Sequence, residues 1–142
     1  MSVRDAEAVQ IRRFSARLSE VRHVRRFVGE FMAGRSCADD AIIAVSELAA
    51  NAIQHSGSDG GGDFTVRLAP REGAVLITVT NAGGAERPTL GRNSPEDTSG
   101  RGLFIVDSIS RRWGVVQGSA GTSVWCEIGC VHAPALQECL AA

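Results

Sequence analysis

From Ile11 to Leu18 apolar and polar positions alternate loosely, the pattern of an edge strand. Ser19 then stands where a helix N-cap would. From about Glu20 to Ala33 the period lengthens. Val21, Val24, Val28 and Phe31 fall on one side of a helix, supported by Phe27 and Met32, and Gly34 closes it. Ser36-Cys37-Ala38-Asp39 has the form of a capping box, with Asp39 in place of the usual Glu or Gln. A second helix is predicted from there to His55. At ~100° per residue, Ile42, Val45, Leu48, Ala49, Ala52 and Ile53 share one apolar sector. Glu47, Asn51, Gln54 and His55 gather on the other side, a separate polar face.

Beyond a Gly-rich loop at Ser58 to Gly62, Phe64 to Ala69 and Val75 to Thr80 read as strands. Asn81 to Gly100 is rich in Gly and Pro and nearly devoid of bulky apolar residues; so long a loop in a compact domain is usually functional. Leu103 to Ser110 predicts a short helix. Trp113 to Gln117 and Ser123 to Ile128 predict a closing hairpin around Gly118–Gly121, and Ala135 to Leu140 a helical turn. The order β-α-α-β-β-loop-α-β-β favours an α+β class: a two-layer sandwich whose mixed, mostly antiparallel sheet is covered by helices on one face. At 142 residues and without internal repeats, the chain reads as a tail over 1–9, one domain over 10–128 and a second tail over 129–142.

Composition narrows the chemistry. All 15 basic residues are Arg, and Tyr is absent. A Walker A phosphate loop, the ion-paired nucleotide site of ordinary protein kinases and Schiff-base chemistry all need Lys, so they are excluded. A net charge of -1 gives no case for direct nucleic-acid binding. Arg4, Arg12, Arg13, Arg17, Arg22, Arg25, Arg26 and Arg35 nonetheless crowd the start of the chain. They read first as a solvated face, and second as a basic surface for an acidic protein partner. No apolar run is long enough for a membrane span, and the N-terminus lacks a signal core, so the expected location is cytoplasmic. Cys37, Cys126, Cys130 and Cys139 are then expected as reduced free thiols, since Cys126-x3-Cys130-x-His132-x6-Cys139 matches no common zinc spacing.

Four short segments can carry chemistry. In Ser46 to His55, Glu47 and Asn51 lie one helical turn apart; a carboxylate can take a proton from a hydroxyl, and an amide oxygen suits Mg²⁺. Taken alone, an exposed polar face explains them as well. Asn81-Ala82-Gly83-Gly84-Ala85 follows a strand, where glycines allow a ligand close to the backbone or simply make a turn. Gly100-Arg101-Gly102-Leu103 opens the predicted third helix, a place for phosphate or a plain loop-to-helix joint. Thr122, in Gly121-Thr122-Ser123, could meet a base edge, although Gly-Thr is common at hairpins.

In this order the four segments resemble the GHKL ATPase superfamily, which shares the Bergerat nucleotide-binding fold, over about residues 10–128. Glu47 to His55 looks like its N-box, Asn81 to Ala85 like the first glycine box, and Gly100 to Leu103 like the second. The chain is too short for the gyrase, chaperone and mismatch-repair members, and has no room for the phosphoacceptor helices of sensor histidine kinases. Ser-Glu-Leu-x-x-Asn-Ala, Gly-Arg-Gly-Leu, Arg-Trp-Gly and Val-Trp are similar to the small anti-sigma factor serine/threonine kinases of bacterial partner switching, especially the short actinobacterial ones. The resemblance implies a protein that holds a sigma factor inactive and phosphorylates a small STAS-domain anti-anti-sigma protein. ATP and Mg²⁺ are the implied cofactors, and a homodimer the implied assembly. Carried over by position, Glu47 would activate the substrate hydroxyl and Asn51 would ligate Mg²⁺. His55, Gly83, Gly100, Arg101, Gly102 and Leu103 would line the nucleotide, with Arg101 in or beside the ATP lid and Thr122 near the adenine.

The first glycine box normally opens on Asp, which accepts from the adenine 6-amino group; here Asn81 stands in its place. An amide keeps one acceptor and adds two donors. The expected cost is about tenfold in affinity, since bonds to ions are the stronger ones. A donor able to meet adenine N1 or guanine O6 would also loosen base selectivity. The alternative to the kinase is therefore a binding module that sequesters a sigma factor or STAS protein without phosphorylating it. A third reading is an orphan catalytic domain serving a separate phosphoacceptor protein.

Overall fold

The computed structural model describes residues 8–55, 62–81, 98–118 and 121–130. The strands are β1 (Gln10–Ser15), β2 (Asp63–Arg71), β3 (Ala74–Asn81), β4 (Arg112–Gly118) and β5 (Gly121–Gly129). The helices are α1 (Val21–Phe31), preceded by a 3-10 turn at Leu18–Glu20, α2 (Ala38–Gln54) and α3 (Thr98–Ile109). The strands form one sheet in the order β1-β2-β3-β5-β4, and every neighbouring pair is antiparallel. The sheet is thus antiparallel throughout rather than mixed. The α+β class holds, and no helix among the described residues is long and apolar enough to cross a membrane.

The period-two pattern decides which face is buried. Val66, Val79 and Val124 align across β2, β3 and β5, as do Leu68, Ile77 and Cys126 in the next row, and all six are buried. Their neighbours on the opposite face, Arg67, Thr78 and Trp125, are exposed or half-buried. Against the buried face lie Val24, Phe27 and Val28 of α1 and Ala41, Ala44, Val45, Leu48, Ala49 and Ala52 of α2. Small alanines bring α2 close to the sheet, and Leu48 fills the remaining space. Burying such a side chain stabilises by about 1.5–3 kcal/mol. Phe14 of β1 stacks on Phe64 at 5.7 Å and meets Phe27 at 6.0 Å, which ties the edge strand to α1. The Arg12 guanidinium lies 4.6 Å from the centre of the Phe27 ring.

Several local expectations shift. The first strand ends at Ser15, and Leu18 belongs to the 3-10 turn, 72% exposed. Ser19 does not cap α1, whose N-cap is Glu20 without a side-chain bond. The N-cap of α2 is Cys37 rather than Ser36, and Asp39 and Asp40 in the first turn complement the helix dipole. The third helix starts at Thr98 rather than Leu103, placing Gly100 and Gly102 inside it. Glycine's poor helix propensity hides such a start in sequence, and contact with α2 overrides it. The helical turn expected at 135–140 lies outside the described residues.

Cys37 and Cys130 are not free thiols. They form a disulfide across a sequence separation of 93, with Cα atoms 4.9 Å apart. The fold makes this possible: β5 returns its end to the start of α2, and the Cys130 N–H donates to the Gly73 carbonyl at 2.8 Å. Gly73 itself has φ 69, which the tight turn between β2 and β3 requires. Cys126 is the free cysteine among the described residues, and burial pushes its thiol up to about 12.

Candidate functional site

The site grows from the middle and end of α2. Glu47 and Asn51 lie one turn apart, but they do not form a solvated polar face as the sequence allows: α3 packs alongside. Asn51 is only 4% exposed, Glu47 is half-buried and Gln54 is exposed. A methyl placed on Gly102 would lie 3.5 Å from Glu47 Oε2 and 3.6 Å from its Cβ. A glycine at 102 therefore sets α3 directly beside the carboxylate without covering it. Glu47 joins none of the ion pairs among the described residues.

Between these helices lies an open cavity of about 690 Å³, within the size range of small-molecule sites. Glu47, Asn51, Gln54, Arg101 and Gly102 supply its polar side and backbone, with Leu18, Ala50, Ile53 and Ile105 on the apolar side. Arg101 is exposed at the rim, and Ile105 follows it by one turn. The Asn51 amide Nδ2 is buried and has no hydrogen-bond partner among the described residues. A buried amide without a partner is costly, and a bound water or polar ligand would relieve that cost.

A second, narrow recess of about 10 Å³ adjoins Asn51, between the end of α2 and the sheet. His55, Asn81 and Thr122 line it, with Leu48, Ala52, Val79 and Val124. Asn81 and Thr122 are register partners on β3 and β5, 5% and 7% exposed. The Asn81 Nδ2 donates to the Ala52 carbonyl at 3.0 Å and to the His55 carbonyl at 2.8 Å. Its two N–H groups are therefore engaged within the protein, and the donor expected to loosen base selectivity is not available in this arrangement.

The fold thus gathers Glu47, Asn51, Arg101 and Gly102 around one cavity and His55, Asn81 and Thr122 around the adjoining recess, with Asn51 common to both. Leu103 differs from expectation: it is 1% exposed and belongs to the core rather than to the cavity wall. Gly100 falls in the first turn of α3, not in a loop before it. Gly83 lies outside the described residues. Sequence reasoning missed Leu18 and Ile105. Ile105 had a signal in its four-residue spacing from Arg101, whereas Leu18 reaches the cavity from a remote turn and had none.

Among the described residues there is no group of three or more His, Cys, Asp or Glu side chains able to hold a metal ion. No curated protein matches the chain. Among solved structures, the fold is similar to a crystal structure of the RsbU and RsbW domains of Rv1364c from Mycobacterium tuberculosis. That similarity has a TM-score of 0.66 and 21% identity, over 87% of this chain and 32% of the other. This chain therefore spans about a third of the length of that crystallised one, and the likeness is one of fold. The sequence pattern of the histidine kinase-like ATPase domain matches residues 14–128 and so encloses every element from the end of β1 to β5, together with both cavities; the chain belongs to the histidine kinase-like ATPase domain family.

Proposed function

We propose that this chain is an anti-sigma factor with Mg·ATP-dependent serine/threonine kinase activity toward a STAS-domain anti-anti-sigma protein. The observation that carries the reading is the cavity between α2 and α3, where the half-buried Glu47 lies beside Gly102 and the Asn51 Nδ2 has no partner among the described residues. Family membership supplies the nucleotide, and the sequence resemblance supplies the class of partner.

Glu47 takes the proton of the incoming Ser or Thr hydroxyl as its oxygen attacks the γ-phosphorus, and the bond to the ADP oxygen breaks. Arg101, at the cavity rim, offers a charge-assisted donor to phosphate oxygens. The residues fit a magnesium ion that arrives with its nucleotide. The side-chain oxygen of Asn51, a hard ligand on the cavity wall, would hold it, while the Asn51 Nδ2 is a donor suited to a phosphate oxygen or a water rather than to a cation. Bound there, Mg²⁺ would neutralise charge on the phosphates. The sigma factor and a second copy of the chain are partners in the same reading.

The test is Glu47→Gln. Phosphoryl transfer from ATP to a STAS-domain substrate should fall by about 10²–10⁴-fold, while ATP affinity stays within about twofold of the native protein's. Undiminished transfer would remove Glu47 from its role. The replacement of Asp by Asn81 favours one rival reading, a sequestering module. Its signature is a stable complex with the partner that neither nucleotide nor Glu47→Gln alters.

A further inference from the structure

The C-terminal end of a helix leaves its last carbonyls without intrahelical donors. In α2 the Asn51 carbonyl is met by the His55 N–H at 3.0 Å, the first bond of a closing turn. The Ala52 and His55 carbonyls are met from outside the helix, by the side chain of Asn81 on β3. These three residues flank Asn51 in sequence or in space, and all line the same recess with it. Asn81 lies on a central strand, between β2 and β5, and is fixed there by pairing with Phe64 and Thr122.

We propose that Asn81 is a positioning residue: its two amide donors tie the last turn of α2 to β3 and so hold Asn51, while what remains for a bound base is acceptance at its oxygen. This rests on the nucleotide reading of the site only in its second half; the tie stands on the hydrogen bonds alone. Asn at this position is then not a weakened Asp. A carboxylate in the same place would face two carbonyl oxygens at the negative end of a helix dipole, with no proton to offer either. The substitution that restores the family's usual residue should damage the site instead of improving it. Base selectivity should also persist, because guanine O6 needs a donor and both donors are in use.

The experiment compares the native protein with Asn81→Asp and Asn81→Ser. Asn81→Asp is expected to melt roughly 5–10 °C lower than the native protein at pH 8 without nucleotide. That deficit should shrink toward pH 5. The neighbouring carbonyls and burial favour the neutral acid, so the folded variant takes up a proton more readily than the unfolded chain and regains one donor as pH falls. Asn81→Ser keeps one short donor and no charge, so it remains foldable. In it the His55 amide, at the end of the tied turn, should exchange with solvent deuterium at least about tenfold faster. Native protein should bind ATP more tightly than GTP, and Asn81→Asp should bind ATP more weakly than the native protein.

An Asn81→Asp protein that melts at or above the native temperature, together with unchanged exchange at His55 in Asn81→Ser, would overturn the tie. Equal native affinity for ATP and GTP would overturn the claim that no donor is left for the base. If the melting and exchange results hold but the native protein binds neither nucleotide, the tie stands and the nucleotide reading of the cavity falls.

Discussion

The two ends of α2 are held by different chemistry. At its N-terminus Cys37 is the cap residue and is covalently joined to Cys130 at the end of β5. At its C-terminus the neutral amide of Asn81 ties the helix to β3 through two hydrogen bonds to backbone oxygens. Glu47 and Asn51 sit in the second half, nearer the hydrogen-bonded end. The covalent end is remote from both cavities, and it can be strong without constraining a ligand. The other end adjoins the recess, where two hydrogen bonds from Asn81 hold the polar wall. The covalent hold and the two cavities are thus separated along a single helix.

Breaking the covalent end should have the largest effect. Cys130→Ser opens a loop with a sequence separation of 93. It is expected to destabilise the fold by about 2–4 kcal/mol, measured by urea unfolding under oxidising conditions. Dithiothreitol should lower the native protein to the same level and leave the variant unmoved. A native midpoint insensitive to the reductant would show that the disulfide carries no stability.

Asn81→Ser should be milder, about 1–2 kcal/mol in the same titration, because one donor survives at shorter reach. A loss larger than that of Cys130→Ser would reverse the ranking of the two ends. Milder still is Asp39→Asn, which removes one acid from the first turn of α2 and should lose about 0.3–1 kcal/mol at low salt, fading as salt is added.

Alkaline pH sharpens the contrast from the sheet side. Cys126 is buried beneath the helices, and its desolvation, partly offset by Ser110, raises the thiol from 9.0 to about 12. A raised folded value means that this stabilisation is complete below pH 9.0 and is lost as pH rises toward 12. Unfolding midpoints should fall across that window in the native protein and less so in Cys126→Ala. Identical slopes would place the alkaline sensitivity elsewhere.

Much of this arrangement was readable in the chain. The alternation in Phe64 to Ala69 and Val75 to Thr80 marked β2 and β3, and the 3.6 period from Ile42 marked the buried stripe of α2. The pairing of Glu47 with Asn51 followed from the same period. Burial of Asn51 did not, because one helix's sequence cannot say that another helix will cover its polar side. Nor did the start of α3 show, since Gly100 and Gly102 look like loop until the contact of Gly102 with Glu47 is known.

The α+β class, the five strands and the family could be read from the chain alone, because these depend on local periodicity and on short motifs in order. Packing in three dimensions was needed to show that Cys37 bonds Cys130, that Leu103 serves the core, and that Asn81 turns its donors toward Ala52 and His55. Each of these depends on which distant atoms meet. A hydrogen bond between residues 26 or 29 apart, or a bridge across 93, leaves no trace in the spacing of neighbours. Packing brings the partners together, and only then does the chemistry of an amide or a thiol have a direction.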